Sequence, residues 1–284
     1  VHRLSAKLRN NTAPLKVAVV GVGGTGSEVL SALINVHLGL RALGKPGLEV
    51  HAFDPDTVSE ANLVRQRYYP QDIGLPKAKV LIHRINLSMG GAMGVKWVGQ
   101  PFRFDSECAR YPWDIVLSCV DSRKERRKLH GYASQKRFTK WALWGDFGND
   151  SDRGQVLFGE PGRSKYALPW ATQLHPDLID LSLPDDDTPS CSTIEAIERQ
   201  GLLINKTVAT LGVQLLWEAL KTGKMAHHGY YFNYSRGSFQ GVPIPPECVN
   251  VKAPQERAAK AGPARAAARR AAPAQRPVPG AARP

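Results

Sequence analysis

Short apolar runs alternate with polar, glycine-marked turns along most of the chain. Lys16-Val17-Ala18-Val19-Val20 is β-branched and unbroken, as a strand buried on both faces should be. Glu28-Val29-Leu30-Ser31-Ala32-Leu33 then reads as a helix. Leu48 to Asp54 reads as the next strand and ends on an acid. Trp113 to Ser122 reads as another strand, with Asp121 at its end. Trp141 to Gly148 and Gly154 to Phe158 read as later strands, and Tyr230 to Tyr234 as a further one. Thr193 to Gln200 and Thr207 to Lys221 read as helices. The second places Val208, Leu211, Leu215 and Leu216 on one side, with Gly223 at its end. This alternation predicts an α/β fold with a Rossmann-like, mostly parallel sheet flanked by helices. No internal repeat interrupts it.

The first strand meets the first helix at Gly21-Val22-Gly23-Gly24-Thr25-Gly26-Ser27. Glycines there let the backbone turn sharply and come close to a phosphate, and the helix N-terminus supplies N–H groups and a positive dipole end. Thr25-Gly26-Ser27 lacks the Gly-Lys-Ser/Thr ending of a P-loop, so that class of ATPase is excluded. The spacing Gly21-x-Gly23-x-x-Gly26 fits a dinucleotide fingerprint equally well. Asp54 lies 28 residues after Gly26, near the spacing expected of a carboxylate on ribose hydroxyls. Asp54 and Asp56 also read as turn residues around Pro55, and both readings hold where a strand ends.

The chain beyond this acid is not dehydrogenase-like. Asp54-Pro55-Asp56-Thr57-Val58 leads into Glu60-Ala61-Asn62-Leu63-Val64-Arg65-Gln66, then Gly74-Leu75-Pro76-Lys77-Ala78, then the strand ending in Asp121-Ser122. This ordered series resembles the ThiF/MoeB/HesA family, which includes the ubiquitin-activating enzymes. The resemblance spans about residues 15 to 220. Two positions depart from the family pattern: Ala61 stands for its serine, and Ser122 for the asparagine after its strand-end aspartate. With Pro189-Ser190-Cys191-Ser192 added, the combination looks most like the ThiF-type subgroup of plasmid-borne PRTRC systems.

The resemblance implies ATP-dependent adenylylation of the C-terminal carboxylate of a ubiquitin-like protein. Such a reaction brings an anion to a polyanion, so catalysis is mostly positioning and electrostatic stabilisation. Arg65 offers a planar fork for phosphate, Lys77 a compact charge, and Asn62 an amide donor. By the resemblance, Gly21, Gly23, Gly24 and Gly26 cradle the nucleotide, Asp54 takes the ribose, and Asn62, Arg65 and Lys77 contact the phosphates. Asp121 would hold Mg²⁺, directly or through water. No base is required, because a C-terminal carboxylate is already ionised near neutral pH. Taken singly, Arg65, Arg67 and Lys77 read as loop solvation; their place in an ordered series favours function.

Four cysteines occur, at 108, 119, 191 and 248, with no Cys-x-x-Cys pair, so the zinc site of many relatives is absent. Cys119 lies in an apolar run and is expected in the core. Cys108 and Cys248 have no special context. Cys191 precedes Ser192 and Glu195, whose spacing makes a capping box and predicts a helix start. The dipole end there favours a thiolate, while Asp185, Asp186 and Asp187 oppose it. In the family, a cysteine in the linker before the next helix accepts the activated C-terminus as a thioester or acyl-persulfide-related species, and Cys191 matches that place. The connection from about 161 to 191 would be the crossover loop that clamps the protein substrate's C-terminal peptide. An N-terminal arginine of one subunit can reach its neighbour's ATP in relatives, and Arg9 is the nearest candidate. A homodimer and a conjugating-enzyme-like acceptor are the expected partners.

The 284 residues carry a formal charge of +13. From Lys252 onward Ala, Pro and Arg dominate. Eight Lys/Arg and the single acid Glu256 give this tail about +7 of that charge. Such a segment cannot bury enough surface to order itself. A solvated, disordered extension is favoured over a nucleic-acid tether, leaving 1–251 as the adenylation domain. No apolar run approaches the roughly 20 residues of a membrane span. Reduced thiols and no signal peptide point to the cytoplasm. His227-His228 has no third ligand at suitable spacing and reads as a surface pair. Three other readings stay open: an NAD-dependent oxidoreductase, an inactive nucleotide-binding scaffold, and an activator of small molecules or RNA bases.

Overall fold

A computed structural model describes residues 1–94, 96–135, 141–161, 165–183 and 201–250. Its centre is β2 (Leu15–Val20), a strand whose alternate side chains serve two cores. Leu15, Val17 and Val19 enter one, and Ala18 and Val20 the other. That is why the run carries no polar face. β3 (Leu48–Phe53) and β5 (Ile115–Ser118) flank it in parallel. β4 (Val98–Gln100) extends the sheet beyond β3, and β6 (Leu143–Asn149) beyond β5, both in parallel. From β6 the sheet turns antiparallel through β7 (Arg153–Gly159), β9 (His227–Asn233) and β10 (Ser238–Pro243). The order is β10-β9-β7-β6-β5-β2-β3-β4. A separate two-stranded sheet pairs β1 (His2–Arg3) with β8 (Lys224–Met225).

Helices cover both faces. α2 (Gly24–Ala42) and α7 (Ile204–Thr222) pack against each other on the larger core. The indole of Trp217 crosses so close to Gly39 that a Cβ there would lie 2.8 Å from it. α3 (Lys77–Met89) adds Leu81, Ile82 and Ile85 to the same core. α4 (Ser106–Arg110) and α5 (Arg123–Ser134) cover the opposite face, over Phe53, Phe104, Trp113, Trp141 and Trp144. The short α1 (Ala6–Arg9) buries Leu8, and α6 (Ala171–Leu174) lies in the connection after β7.

The Rossmann-like expectation holds, with differences at element ends. β5 is only four residues long, so Cys119 lies one residue past it, still packed against the core. The strand expected over 230–234 begins at His227. Alternation along it then separates the two histidines, which corrects the surface reading of the pair. His228 is 1% exposed with Nδ1 2.9 Å from the Phe158 carbonyl, whereas His227 is half-buried against Tyr230. Burial holds the pKa of both below the usual imidazole value. Arg9 is engaged locally: Nε donates to the Leu4 carbonyl at 2.9 Å, and its aliphatic part lies against Gly223. The tail, the 193–200 helix and Cys191 lie outside the described residues. No described helix is long and apolar enough to cross a membrane.

Candidate active site at the carboxyl edge of the parallel strands

β2, β3, β5 and β6 run in parallel, so their carboxyl ends share one edge. The glycine corner lies at its middle. Gly21 has φ +89°, and a Cβ there would come within 2.8 Å of the Cys119 carbonyl oxygen. A Cβ on Gly26 would lie 1.9 Å from the Gly21 carbonyl oxygen. These two positions tolerate only glycine, because the turn folds back on the first turn of α2. The 19-residue α2 then presents its first N–H groups, which have no intrahelical partners, at the positive end of its dipole. Such a terminus suits an anion.

Asp54 is bonded directly to that corner. Its Oδ2 accepts the Val22 N–H at 2.6 Å, and Oδ1 accepts the Asp56 N–H at 2.9 Å. It is 5% exposed. Burial pushes its carboxyl above the usual 3.8, against the lowering effects of the Val22 N–H, Lys77 and the Asp56 N–H. Lys77 opens α3 and is itself buried. Its backbone N–H donates to the Asp56 carbonyl at 2.9 Å, and Nζ lies 3.3 Å from Asp56 Oδ2.

The segment between these acids and Lys77 folds back onto α2. Tyr68 donates its hydroxyl to the Val22 carbonyl at 2.7 Å, the Arg67 N–H reaches Ser27 Oγ at 3.2 Å, and the Arg67 guanidinium pairs with Glu28 at 2.8 Å. Gln66 reaches over Gly23, and its Oε1 is buried without a hydrogen-bond partner. Asn62 Oδ1 accepts the Ser59 N–H at 2.9 Å, which leaves the nitrogen end of that amide to donate. Arg65, in the same segment, is half-buried.

The segment after β5 lines the corner from the other side, with Cys119 and Val120 against Gly21. The Cys119 N–H donates to the Val20 carbonyl at 2.8 Å, and Asp121 lies two residues on, exposed. Its backbone carbonyl accepts from Arg126 Nη1 at 3.4 Å. Arg126 is buried against Asp146, with Nε 3.3 Å from both carboxylate oxygens. Asp146 also accepts from Ser118 Oγ at 2.6 Å, and Ser118 Oγ accepts from Trp144 Nε1 at 2.8 Å. Burial pushes the nearby Cys119 thiol well above its usual range, reinforced by the Asp146 charge.

The fold thus gathers Gly21, Gly23, Gly24, Gly26, Asp54, Asn62, Arg65, Lys77 and Asp121 on one edge. A nucleotide fits this set: a glycine cradle, a buried strand-end acid, cations on one flank and an acceptor orphaned at the corner. The described residues contain no cluster of three His, Cys, Asp or Glu side chains able to hold a metal by themselves. Asp121 would suit Mg²⁺ once a substrate supplied phosphate oxygens, because that ion is bound through one or two carboxylates plus substrate oxygens. Three polar residues at this edge carried no sequence signal: Thr25, Asn149 and Asn205. Thr25 Oγ1 shares its one proton between the side-chain oxygens of Asn149 and Asn205, each 3.0 Å away.

Fold and site together define a Rossmann-like α/β protein with a nucleotide-type corner. The ThiF family pattern matches residues 2–245, and the chain belongs to the ThiF family. Among curated relatives, ubiquitin-like modifier-activating enzyme 5 of Caenorhabditis briggsae is 27% identical over 164 residues, covering 52% of this chain and 34% of the relative. The Drosophila erecta protein of the same name is 30% identical over 158 residues, covering 51% and 37%. The aligned part is thus about a third of each relative's length. Among solved structures, E. coli MccB with ATP superposes with a TM-score of 0.52 at 16% identity, covering 84% of this chain and 65% of that one. PaaA superposes at 0.53 with 16% identity, covering 81% and 64%. These likenesses are of fold.

Proposed function

We propose that this protein adenylylates the C-terminal carboxylate of a ubiquitin-like protein with ATP. The observation that carries the reading is the gathering of the ThiF-type motif residues around the Gly21–Gly26 corner in a chain of that family. In this reading Asp54 accepts from the ribose, and α2's N-terminus and Asn62 donate to phosphate oxygens. Arg65 and Lys77 offset the triphosphate charge. Asp121 is the residue that would hold Mg²⁺, which when bound neutralises charge on the phosphate oxygens. The substrate carboxylate attacks the α-phosphorus, the bond to the β-phosphate breaks, and pyrophosphate leaves. Names of relatives and neighbours support the reading: ubiquitin-like modifier-activating enzyme 5, and MccB solved with ATP and with MccA. The test is ATP–pyrophosphate exchange driven by a ubiquitin-like protein with a free C-terminus. Exchange that disappears when that C-terminus is amidated supports the reading. Quenching of nicotinamide fluorescence without exchange would replace it with an oxidoreductase.

Asp54 makes the nucleotide step pH-dependent. Ribose hydroxyls need the carboxylate, so nucleotide affinity falls on acidification through a midpoint above 3.8. The stability of the nucleotide-free protein has the opposite slope. Between 3.8 and the raised value the folded state holds a proton that the unfolded chain has released, so this group's contribution declines as pH rises. Asp54→Asn removes both dependences. Fluorescent-nucleotide titrations and thermal melts between about pH 4 and 7 measure them.

Transfer to Cys191 completes the proposal. The thiolate attacks the acyl carbonyl, the bond to phosphate breaks, and AMP leaves with that oxygen. Cys191→Ala retains exchange but forms no thiol-sensitive adduct with the ubiquitin-like protein on non-reducing gels. An adduct that persists in this variant moves the acceptor to another cysteine. A homodimer in the cytoplasm, handing its product to a conjugating-enzyme-like acceptor, belongs to the same reading.

A further inference from the structure

We propose that the side-chain amide of Asn149, oriented by Thr25, is the donor that receives the substrate's acyl group beside the α-phosphate. This assignment rests on the adenylation reading and adds a subsite to it. Asn149 ends β6, the strand next to β5 in the sheet. Its Oδ1 accepts from Thr25 in the first turn of α2, which leaves the nitrogen end of the amide to donate elsewhere. That Nδ2 is buried and has no hydrogen-bond partner. A buried donor left unpaired costs stability that an acceptor on a ligand would recover. Asn205, from the start of α7, shares the Thr25 hydroxyl and lies over Gly24, where a Cβ would be 2.5 Å from its Nδ2. Two amides and one hydroxyl thus converge on the N-terminus of α2.

Strand order says what arrives there. Along the carboxyl edge, Asp54 follows β3, the glycine corner follows β2, Asp121 follows β5 and Asn149 ends β6. A nucleotide with its ribose at Asp54 and its α-phosphate over α2 leaves the β6 side for the group that joins the phosphate. Charge separates the acyl group from pyrophosphate as the occupant. The cations Arg65 and Lys77 come from the segment after β3 and the start of α3, whereas the Thr25–Asn149–Asn205 cluster is neutral. A polyanion needs cations. An acyl group enters as a carboxylate with one negative charge and ends as a neutral carbonyl, and an amide N–H serves it in both states. When the carboxylate's other oxygen forms its bond to phosphorus and pyrophosphate departs, the oxygen held by Asn149 becomes that carbonyl.

The test compares three probes by calorimetry on the whole protein: AMP, the α,β-methylene analogue of ATP, and 5′-O-(N-glycylsulfamoyl)adenosine. The last carries an acyl carbonyl on a sulfamate in place of the phosphate. The wild type is expected to prefer it to AMP. Asn149→Leu, close in shape, lowers that preference by about tenfold, and Asn149→Asp, which keeps an acceptor but no donor, does so at least as strongly. In Asn149→Leu, AMP and the ATP analogue stay within about twofold of wild type, which also reports an intact fold. Thr25→Val, which frees the amide to rotate, gives a smaller loss of the same preference. No acyl preference in the wild type, or a preference retained in Asn149→Leu, overturns the assignment. A loss confined to the ATP analogue overturns it in favour of a pyrophosphate site. No binding of any probe by the wild type refutes the adenylation reading itself, and this assignment with it.

Discussion

Asp121→Ala lowers ATP–pyrophosphate exchange by more than about a hundredfold, and Arg65→Ala does the same. Both side chains are assigned to charge that develops on phosphate oxygens as the carboxylate attacks. Interactions that strengthen only in the transition state appear in kcat and not merely in KM. Asp121 is exposed three residues past β5, so its removal should leave the melting temperature unchanged. Asp121→Asn is informative beside it. It keeps the shape and loses the charge, so a metal role predicts a loss nearly as large, together with a raised Mg²⁺ requirement. Exchange near the wild-type rate in either alanine variant removes the assignment of that residue, whatever the fate of the other.

Arg126→Met is expected to be the most destabilising single change on this edge. It leaves Asp146, 1% exposed, without its cation. Breaking a buried pair by removing one partner costs about 3–5 kcal/mol, because the remaining charge has no solvent to turn to. For a folded unit of this size, that lowers the melting temperature by roughly 10 °C. The double variant Arg126→Met/Asp146→Leu recovers part of the loss, since no charge is then stranded. Recovery stays incomplete because Ser118 loses the acceptor it reaches at 2.6 Å. The single variant also releases the Asp121 carbonyl from Nη1, so exchange at temperatures where it stays folded falls as well. Melts of the three proteins, monitored by circular dichroism, test this. Equal melting temperatures for wild type and Arg126→Met would mean the pair contributes nothing.

Several residues of the site were legible before any fold was known, each for a local reason. Lys16–Val20 has no polar face because both its faces are buried, and the glycines after it stand where the backbone folds back so closely that a Cβ on Gly26 would strike the Gly21 carbonyl. Asp54 and Asp121 could be placed because an acid that closes an apolar run lies at the carboxyl edge of a parallel strand. Asn62, Arg65 and Lys77 were recognisable only as members of an ordered series, not from any property of their own.

Other features depended on the tertiary structure. Arg126 belongs to Arg123-Lys124-Glu125-Arg126-Arg127-Lys128, which as a string is a solvated helix face; only the packing of α5 on the sheet buries that one guanidinium. His228 looked like half of an exposed pair until strand alternation turned it inward. β4 and β10 are too short or too polar to show a period, and they exist because a sheet edge was there to pair with. Thr25, Asn149 and Asn205 stand out in no local pattern, and the two asparagines lie 124 and 180 positions beyond the threonine. Local pattern determined the strand, the corner and the acids, because each is set by neighbours a few residues away. Strand order alone decided which distant amides meet the helix N-terminus, because that contact is made across the sheet and leaves no period in the chain.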